Sequence, residues 1–190
     1  MIELACAPRC GYSEAVTAVE AYELTTQGGA TDLARLVGAC ESFEPYCVIG
    51  GLAVNCYVEP VYTLDAALVV ITEMLSPLTR RLEALGFKTE MHVHSVNVQT
   101  AGSELRIQFT TDERYQAFLE RAVEAEVLGV RVKVACLEDV TRGKLWAYND
   151  PGRRLSKRKT DELDLIRLAE AYPELKSVYP SELREQLDRG

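Results

Sequence analysis

YCVIGGLAVNCYVEPVYTLDAALVVI, residues 46–71, reads as strand, glycine turn, short helix, loop and second strand. Tyr46–Ile49 is a short β-prone run, and Gly50-Gly51 follows it directly. Leu52–Tyr57 is compatible with a helix, Glu59-Pro60 breaks it, and Thr63–Ile71 is a second β-prone run with Asp65 near its start. Two glycines after a strand let a backbone approach a ligand closely, and amides opening the next helix suit a phosphate. An Asp at the mouth of the adjacent strand is a natural ligand for the metal that accompanies such a phosphate. Residues 65 and 67 project to one face of their strand, and position 67 is Ala67.

Outward from this stretch the chain alternates helical and extended patterns. Upstream, a short helix is expected over Ser13–Leu24, a linker at Thr25-Thr26 and Gly28-Gly29, and a helix from Asp32 to about Ser42 capped by Thr31. Downstream, Ser76 and Pro77 start a helix that reaches Leu85 and stops at Gly86. Three β-prone runs follow, Lys88–His92, Ser95–Gln99 and Glu104–Thr110. A helix is expected over Asp112–Ala125, a strand over Val130–Ala135, and helices from Leu137, over Thr160–Ala171 and over Ser181–Leu187. This order predicts an α+β fold: a small mixed β-sheet core with helices on one side and a C-terminal helical portion. The divisions are an N-terminal segment (1–30), a core (31–136) and a helical portion (137–190) that packs with the core as one unit.

Hydrophobic residues make up 47% and charged residues 26% of the 190, as in ordinary globular domains. No apolar run approaches the roughly 20 residues of a membrane span, and MIELACAPRC lacks the pattern of a signal peptide, so a cytoplasmic protein with no membrane partner is expected. The six cysteines show no Cys-x-x-Cys pair and read as small buried residues. Cys6 and Cys10 have no second pair with which to hold a metal. The net charge is −8, yet Arg142–Lys159 holds seven basic residues and one acid, a local +6 that leaves −14 elsewhere. An acidic chain with one basic stretch grips phosphates in one place rather than nucleic acid in general.

The order Gly50-Gly51, short helix, Asp65 resembles the nucleotidyltransferase superfamily, whose signature is Gly-Gly or Gly-Ser, a helix and then Asp-x-Asp on the next strand. Ala67 stands where the second Asp belongs, and Gln108, in the run Glu104–Phe109, stands where many members carry a third acid. Ala67 reads either as a mark of a degenerate site or as one substitution in an otherwise intact one. The resemblance implies an NTP substrate, Mg²⁺ held by Asp65, and Gly50 and Gly51 as the phosphate turn. The implied activity is transfer of NMP to an RNA end, favoured by the basic cluster, or to a protein hydroxyl, weak or absent in this chain because of Ala67; completing the acid pair with Ala67→Asp would then switch transfer on.

KLWAYNDPGRRLSKRKTDELDLIRL, residues 144–168, is similar to the Lys…Arg…Lys-x-x-Asp-x-x-Asp pattern of AbiEii-type abortive-infection toxin nucleotidyltransferases. That resemblance implies that Lys144 binds nucleotide phosphate, with stability little affected by its loss. It implies that Asp161 or Asp164, three apart on one helix face, supports catalysis. Arg153, Arg154, Lys157, Arg158 and Lys159 would contact RNA phosphates, a tRNA-like end being one acceptor, and an antitoxin protein would be a partner. The alternative is a noncatalytic module that binds nucleotide, RNA or a partner protein on the same fold. Transfer to a small molecule is disfavoured by the basic cluster, since such acceptors in the superfamily are usually cationic.

Other features carry less. His92 and His94 sit two apart with no evident third metal ligand and read as surface histidines. Trp146 and Tyr148, near Lys144, read as packing residues before they read as a base platform. There is no Gly-x-Ser-x-Gly elbow and no Walker A lysine.

Overall fold

A computed structural model describes residues 17–189. Residues 13–16 of the expected first helix, and Cys6 and Cys10, lie outside that range. Thr17 caps α1 (Ala18–Thr26) through a capping box, accepting from the Glu20 amide while the Glu20 carboxylate accepts from its own. No linker follows. Gln27 and Gly28 turn the chain in left-handed conformations, with φ of 54° and 104°, and α2 (Gly29–Cys40) starts at once. The cap expected of Thr31 is supplied from α1, where the Glu23 carboxylate accepts from the amides of Ala30 and Thr31 at 2.8 and 3.0 Å.

The central stretch folds in the order expected, as β1 (Tyr46–Ile49), α3 (Gly50–Val54) and β2 (Asp65–Val70). Helix α3 begins on the glycines themselves and is one turn long. The next helix, α4 (Thr72–Ala84), starts five residues before the position expected from Ser76-Pro77. Leu75, Leu78 and Leu82 are buried along one stripe, and that packing outweighs the single backbone bond Pro77 cannot donate.

Strands β3 (Lys88–His92), β4 (Ser95–Gln99) and β5 (Arg106–Thr110) follow. The helix expected over Asp112–Ala125 is instead a three-ten segment, Glu113–Arg121, followed by strand β6 (Val123–Val127). Val-Glu-Ala-Glu-Val alternates, as does Val-Arg-Val-Lys-Val in β7 (Val130–Val134). Leu128 and Gly129, both at positive φ, close the two-residue turn between them. Opposed Glu124–Lys133 and Glu126–Arg131 pairs fix the register.

Helices α5 (Leu137–Asn149), α6 (Leu155–Ala171) and α7 (Ser181–Arg189) complete the chain. Helix α6 begins five residues before the expected Thr160, so Lys157–Lys159 are helical and have fixed directions. The seven strands form one mixed sheet in the order β3-β4-β5-β2-β1-β7-β6. Strand β2 lies antiparallel to β1 and parallel to β5. Ala66, Leu68 and Phe109 point into the core with no exposed surface, so the intervening Asp65, Ala67 and Gln108 must point the other way. Helices α5 and α6 pack on each other and on α3, which brings the C-terminal charges over that second face. No helix among the described residues is long and apolar enough to cross a membrane.

Candidate functional site

Gly50 has a φ of +69°, a conformation that L side chains rarely adopt, and a Cβ there would lie 3.5 Å from that of Ala67. The glycine turn thus passes directly over position 67. The entry to β2 is held by Thr63, whose Oγ1 accepts from the Asp65 amide at 3.2 Å and whose carbonyl accepts from the Tyr22 hydroxyl at 2.9 Å. Burial, helped by Tyr62 and Asp65, pushes the Tyr22 phenol up to about 12, which keeps it a donor. A five-residue α3 carries little macrodipole. A phosphate here would be met by the turn backbone and by side chains rather than by a strong helix terminus.

The parallel ladder pairs Asp65 with Arg106 and Ala67 with Gln108. Arg106 Nε lies 2.8 Å from Asp65 Oδ1, and Lys157 Nζ, from α6, lies 2.5 Å from Oδ2. Both carboxylate oxygens are therefore engaged by cations. The Gln108 amide nitrogen donates to Ser95 Oγ and Asn97 Oδ1, each at 3.1 Å, so a neutral polar row replaces the expected acids along this face.

A second charge system joins α5 to α6. Lys144 Nζ contacts Asp161 Oδ1 at 2.9 Å and Asp164 Oδ2 at 2.6 Å. Arg153 holds the other oxygen of Asp161 at 2.5 Å, and Arg167 that of Asp164 at 2.8 Å. Arg167 also reaches Asn55 and the Glu59 carbonyl, tying α6 to the loop after α3. Lys144, Asp161 and Asp164 are all buried, at 7%, 1% and 2% exposure. Buried charges persist only when paired, and this chain of five alternates in sign along its length. Lys144 does line the cleft that holds Asp65. Two of the three donors of its ammonium nevertheless go to the aspartates.

The basic run is divided rather than continuous. Arg153, Arg154 and Lys157 line a cleft of about 1030 Å³ together with Gly50, Gly51 and Asp65. Arg158 and Lys159 line a separate depression of about 320 Å³, where Lys159 pairs with Glu162 at 2.6 Å. A second cleft of about 660 Å³ meets the first at Gly50, Ala67, Gln108 and Lys144. In it Trp146 stacks on Phe118 with centroids 5.6 Å apart, takes the Tyr115 edge at 5.2 Å and lies under Arg114 at 4.8 Å. Its faces are thus taken by protein groups. His94 lines this cleft, while His92 contacts Asn97 at 2.9 Å.

The Mg²⁺ implied by the resemblance needs several oxygen ligands. Asp65 is the one acid facing the cleft from β2, and cations hold both its oxygens. Position 67 offers a methyl group, and Gln108 is committed to its neighbours. Asp161 and Asp164 are paired with three cations. Among the described residues no group of three or more His, Cys, Asp or Glu could hold a metal ion. The donor set does not fit a resident Mg²⁺.

Two participants escaped sequence reasoning. Arg106 lies in the run Glu104–Phe109, whose position 108 lacks the acid, and Arg167 lies in the 144–168 stretch three residues past the last Asp of the pattern. The signal for Arg106 was available: it stands two before Gln108 on the same strand, as Asp65 stands two before Ala67.

The mixed sheet, the glycine turn over β2 and the C-terminal helices define a nucleotidyltransferase fold. ANT(2″)-Ia in complex with adenylyl-2″-tobramycin superposes with a TM-score of 0.58 at 15% identity, over 84% of this chain and 97% of that one. The lincosamide antibiotic adenylyltransferase LnuA, lincomycin-bound, gives 0.51 at 14% identity, over 74% and 96%. An antigenic nucleotidyltransferase-like protein from Paracoccidioides brasiliensis gives 0.53 at 21% identity, over 84% and 85%. At these identities the likeness is one of fold. No family model matches the chain, and no curated protein matches it.

Proposed function

We propose that this protein binds a nucleotide in the cleft between the glycine turn and α6, and that it does not carry out metal-dependent nucleotidyl transfer. The observation that carries this reading is the state of Asp65, held between Arg106 and Lys157 beside Ala67 and Gln108. A transfer site on this fold would need carboxylates free to hold metal there, because the metal stabilises charge on the attacking and leaving oxygens. Binding needs only the cleft, its volume and its cations, all of which are present. The adenylyl group named for one neighbouring structure supports a nucleotide as the ligand of this fold. The test has two parts. Calorimetric titration with each common NTP should give saturable binding of at least one. Incubation with labelled NTP, Mg²⁺, total RNA and protein should leave both acceptors unlabelled. Labelled RNA or labelled protein would reverse the second half of the proposal.

A second reading, transfer of NMP to an RNA end, is favoured by one observation. Arg153, Arg154 and Lys157 all line the cleft, as groups that would contact an acceptor phosphate. The same incubation tests it, with RNA label as its positive outcome. An antitoxin-like partner remains an expectation of the resemblance alone.

A further inference from the structure

We propose that Arg106 and Lys157 take the place of a metal ion in this cleft, binding nucleotide phosphates directly, and that Asp65 is an internal anion which occupies them until the phosphates arrive. The inference rests on the nucleotide reading above and reverses the role that the fold resemblance gives to Asp65.

Asp65 and Arg106 are register partners on adjacent parallel strands, so their approach is fixed by the sheet. Lys157 comes from α6, on the opposite wall, and closes on the second carboxylate oxygen. The carboxylate thus lies between two cations, as a phosphate oxygen would. These contacts are open to solvent: the side chains of Arg106, Asp65 and Lys157 are 60%, 42% and 38% exposed. Exposed ion pairs of this kind hold weakly and open readily. A triphosphate brings more anionic oxygens than one carboxylate, and a guanidinium meets a phosphate with paired donors.

Two further observations agree. Arg154 and Lys88 line the same cleft, as do the acids Glu90 and Asp150, and neither cation forms an ion pair among the described residues, so both are open to an arriving phosphate. The contrast with Lys144 is also informative. That ammonium is buried and held by two buried aspartates, as befits a fixed structural link, whereas the Asp65 contacts are exposed and separable. Divalent metal and two organic cations would neutralise the same phosphate charge, and the second arrangement needs no carboxylate at positions 67 and 108.

The experiment is calorimetry of the full chain with ATP, and with inorganic tripolyphosphate, in EDTA and in Mg²⁺. ATP is expected to bind in EDTA at least as tightly as in Mg²⁺, because chelated Mg²⁺ masks the charge the cations read. Tripolyphosphate is expected to compete with ATP. Arg106→Gln and Lys157→Gln should each weaken ATP binding about tenfold or more, the loss of a charged hydrogen bond. Asp65→Asn should tighten it about three- to tenfold, since the two exposed contacts it relinquishes are weak. Thermal denaturation of each variant checks folding, and Asp65→Ser replaces Asp65→Asn if the latter fails to fold. If ATP binds only with Mg²⁺, or if removing the Asp65 charge weakens binding, the inference is overturned while the nucleotide reading stands. If no NTP binds in either condition, both are overturned.

Discussion

Asp65 and Arg106 are opposite one another in the β2–β5 ladder, and their side chains meet at 2.8 Å on the open face of the sheet. A position that the fold resemblance reserves for a metal ligand is therefore answered by a cation built into the neighbouring strand. On the reading proposed above, with Lys157 on the other oxygen, the pair of cations receives an arriving anion rather than an arriving Mg²⁺. This inverts what substitutions in the cleft are expected to do.

Ala67→Asp should not switch on transfer. Position 67 is half-buried on the cleft floor, and a new carboxylate there would face Asp65, already held by two cations, and a neutral Gln108. The variant should fold with a loss of about 1–3 kcal/mol, the cost of a half-buried charge packed against the core beside another carboxylate. It should leave RNA and protein unlabelled when incubated with labelled NTP and Mg²⁺. Appearance of label would restore the simpler view drawn from sequence, in which one missing acid separates this chain from an active transferase.

Lys144→Ala should destabilise the protein strongly, contrary to the expectation for an exposed phosphate clamp. It removes the central cation of the buried Arg153–Asp161–Lys144–Asp164–Arg167 chain and strands charge on two buried aspartates. Breaking a buried pair in this way costs about 3–5 kcal/mol. Urea denaturation monitored by circular dichroism would measure it. A change below about 1 kcal/mol would return Lys144 to a ligand-facing role.

Gly50→Ala should cost about 1–2 kcal/mol, the penalty of a left-handed conformation for a residue with a Cβ. It should also weaken nucleotide binding, because the added methyl would sit 3.5 Å from the Ala67 methyl at the junction of the two clefts. Gly51→Ala provides the comparison. The nearest atoms to its Cβ would be those of Thr63, at 3.7 Å or more, and its φ is unexceptional, so its stability cost should be smaller.

The thiols of Cys40 and Cys47 should resist maleimide at pH 8 in the folded protein. Burial pushes both up to about 12. The reactive species is the thiolate, which would then be a minute fraction at pH 8. Unfolding in guanidinium at the same pH removes the burial and should expose both at once. Mass mapping of labelled peptides reads the outcome residue by residue.

The sequence by itself determined the elements that local chemistry controls. The alternation of β-prone runs, the Gly-Gly after β1 and the spacing of Asp65 from position 67 gave the succession of elements around the cleft and the shared face of residues 65 and 67. The helical stripes placed α5 and α7 within a few residues. Boundaries failed where distant packing overrides a local signal: Pro77 is accepted inside α4 because Leu75, Leu78 and Leu82 are buried together. A strand was missed at β6 because its alternation becomes decisive only when β7 lies beside it. Charge pairing was the part tertiary structure alone decided. Lys157 stands 92 residues from Asp65, Arg106 is brought to Asp65 by the register of two parallel strands, and Lys144 is locked by aspartates from the next helix. Charges act over a few ångströms, and the chain brings these side chains that close only through its fold. A list of acids and bases in order therefore names the participants of the cleft and leaves open which of them hold one another and which are left to hold a ligand.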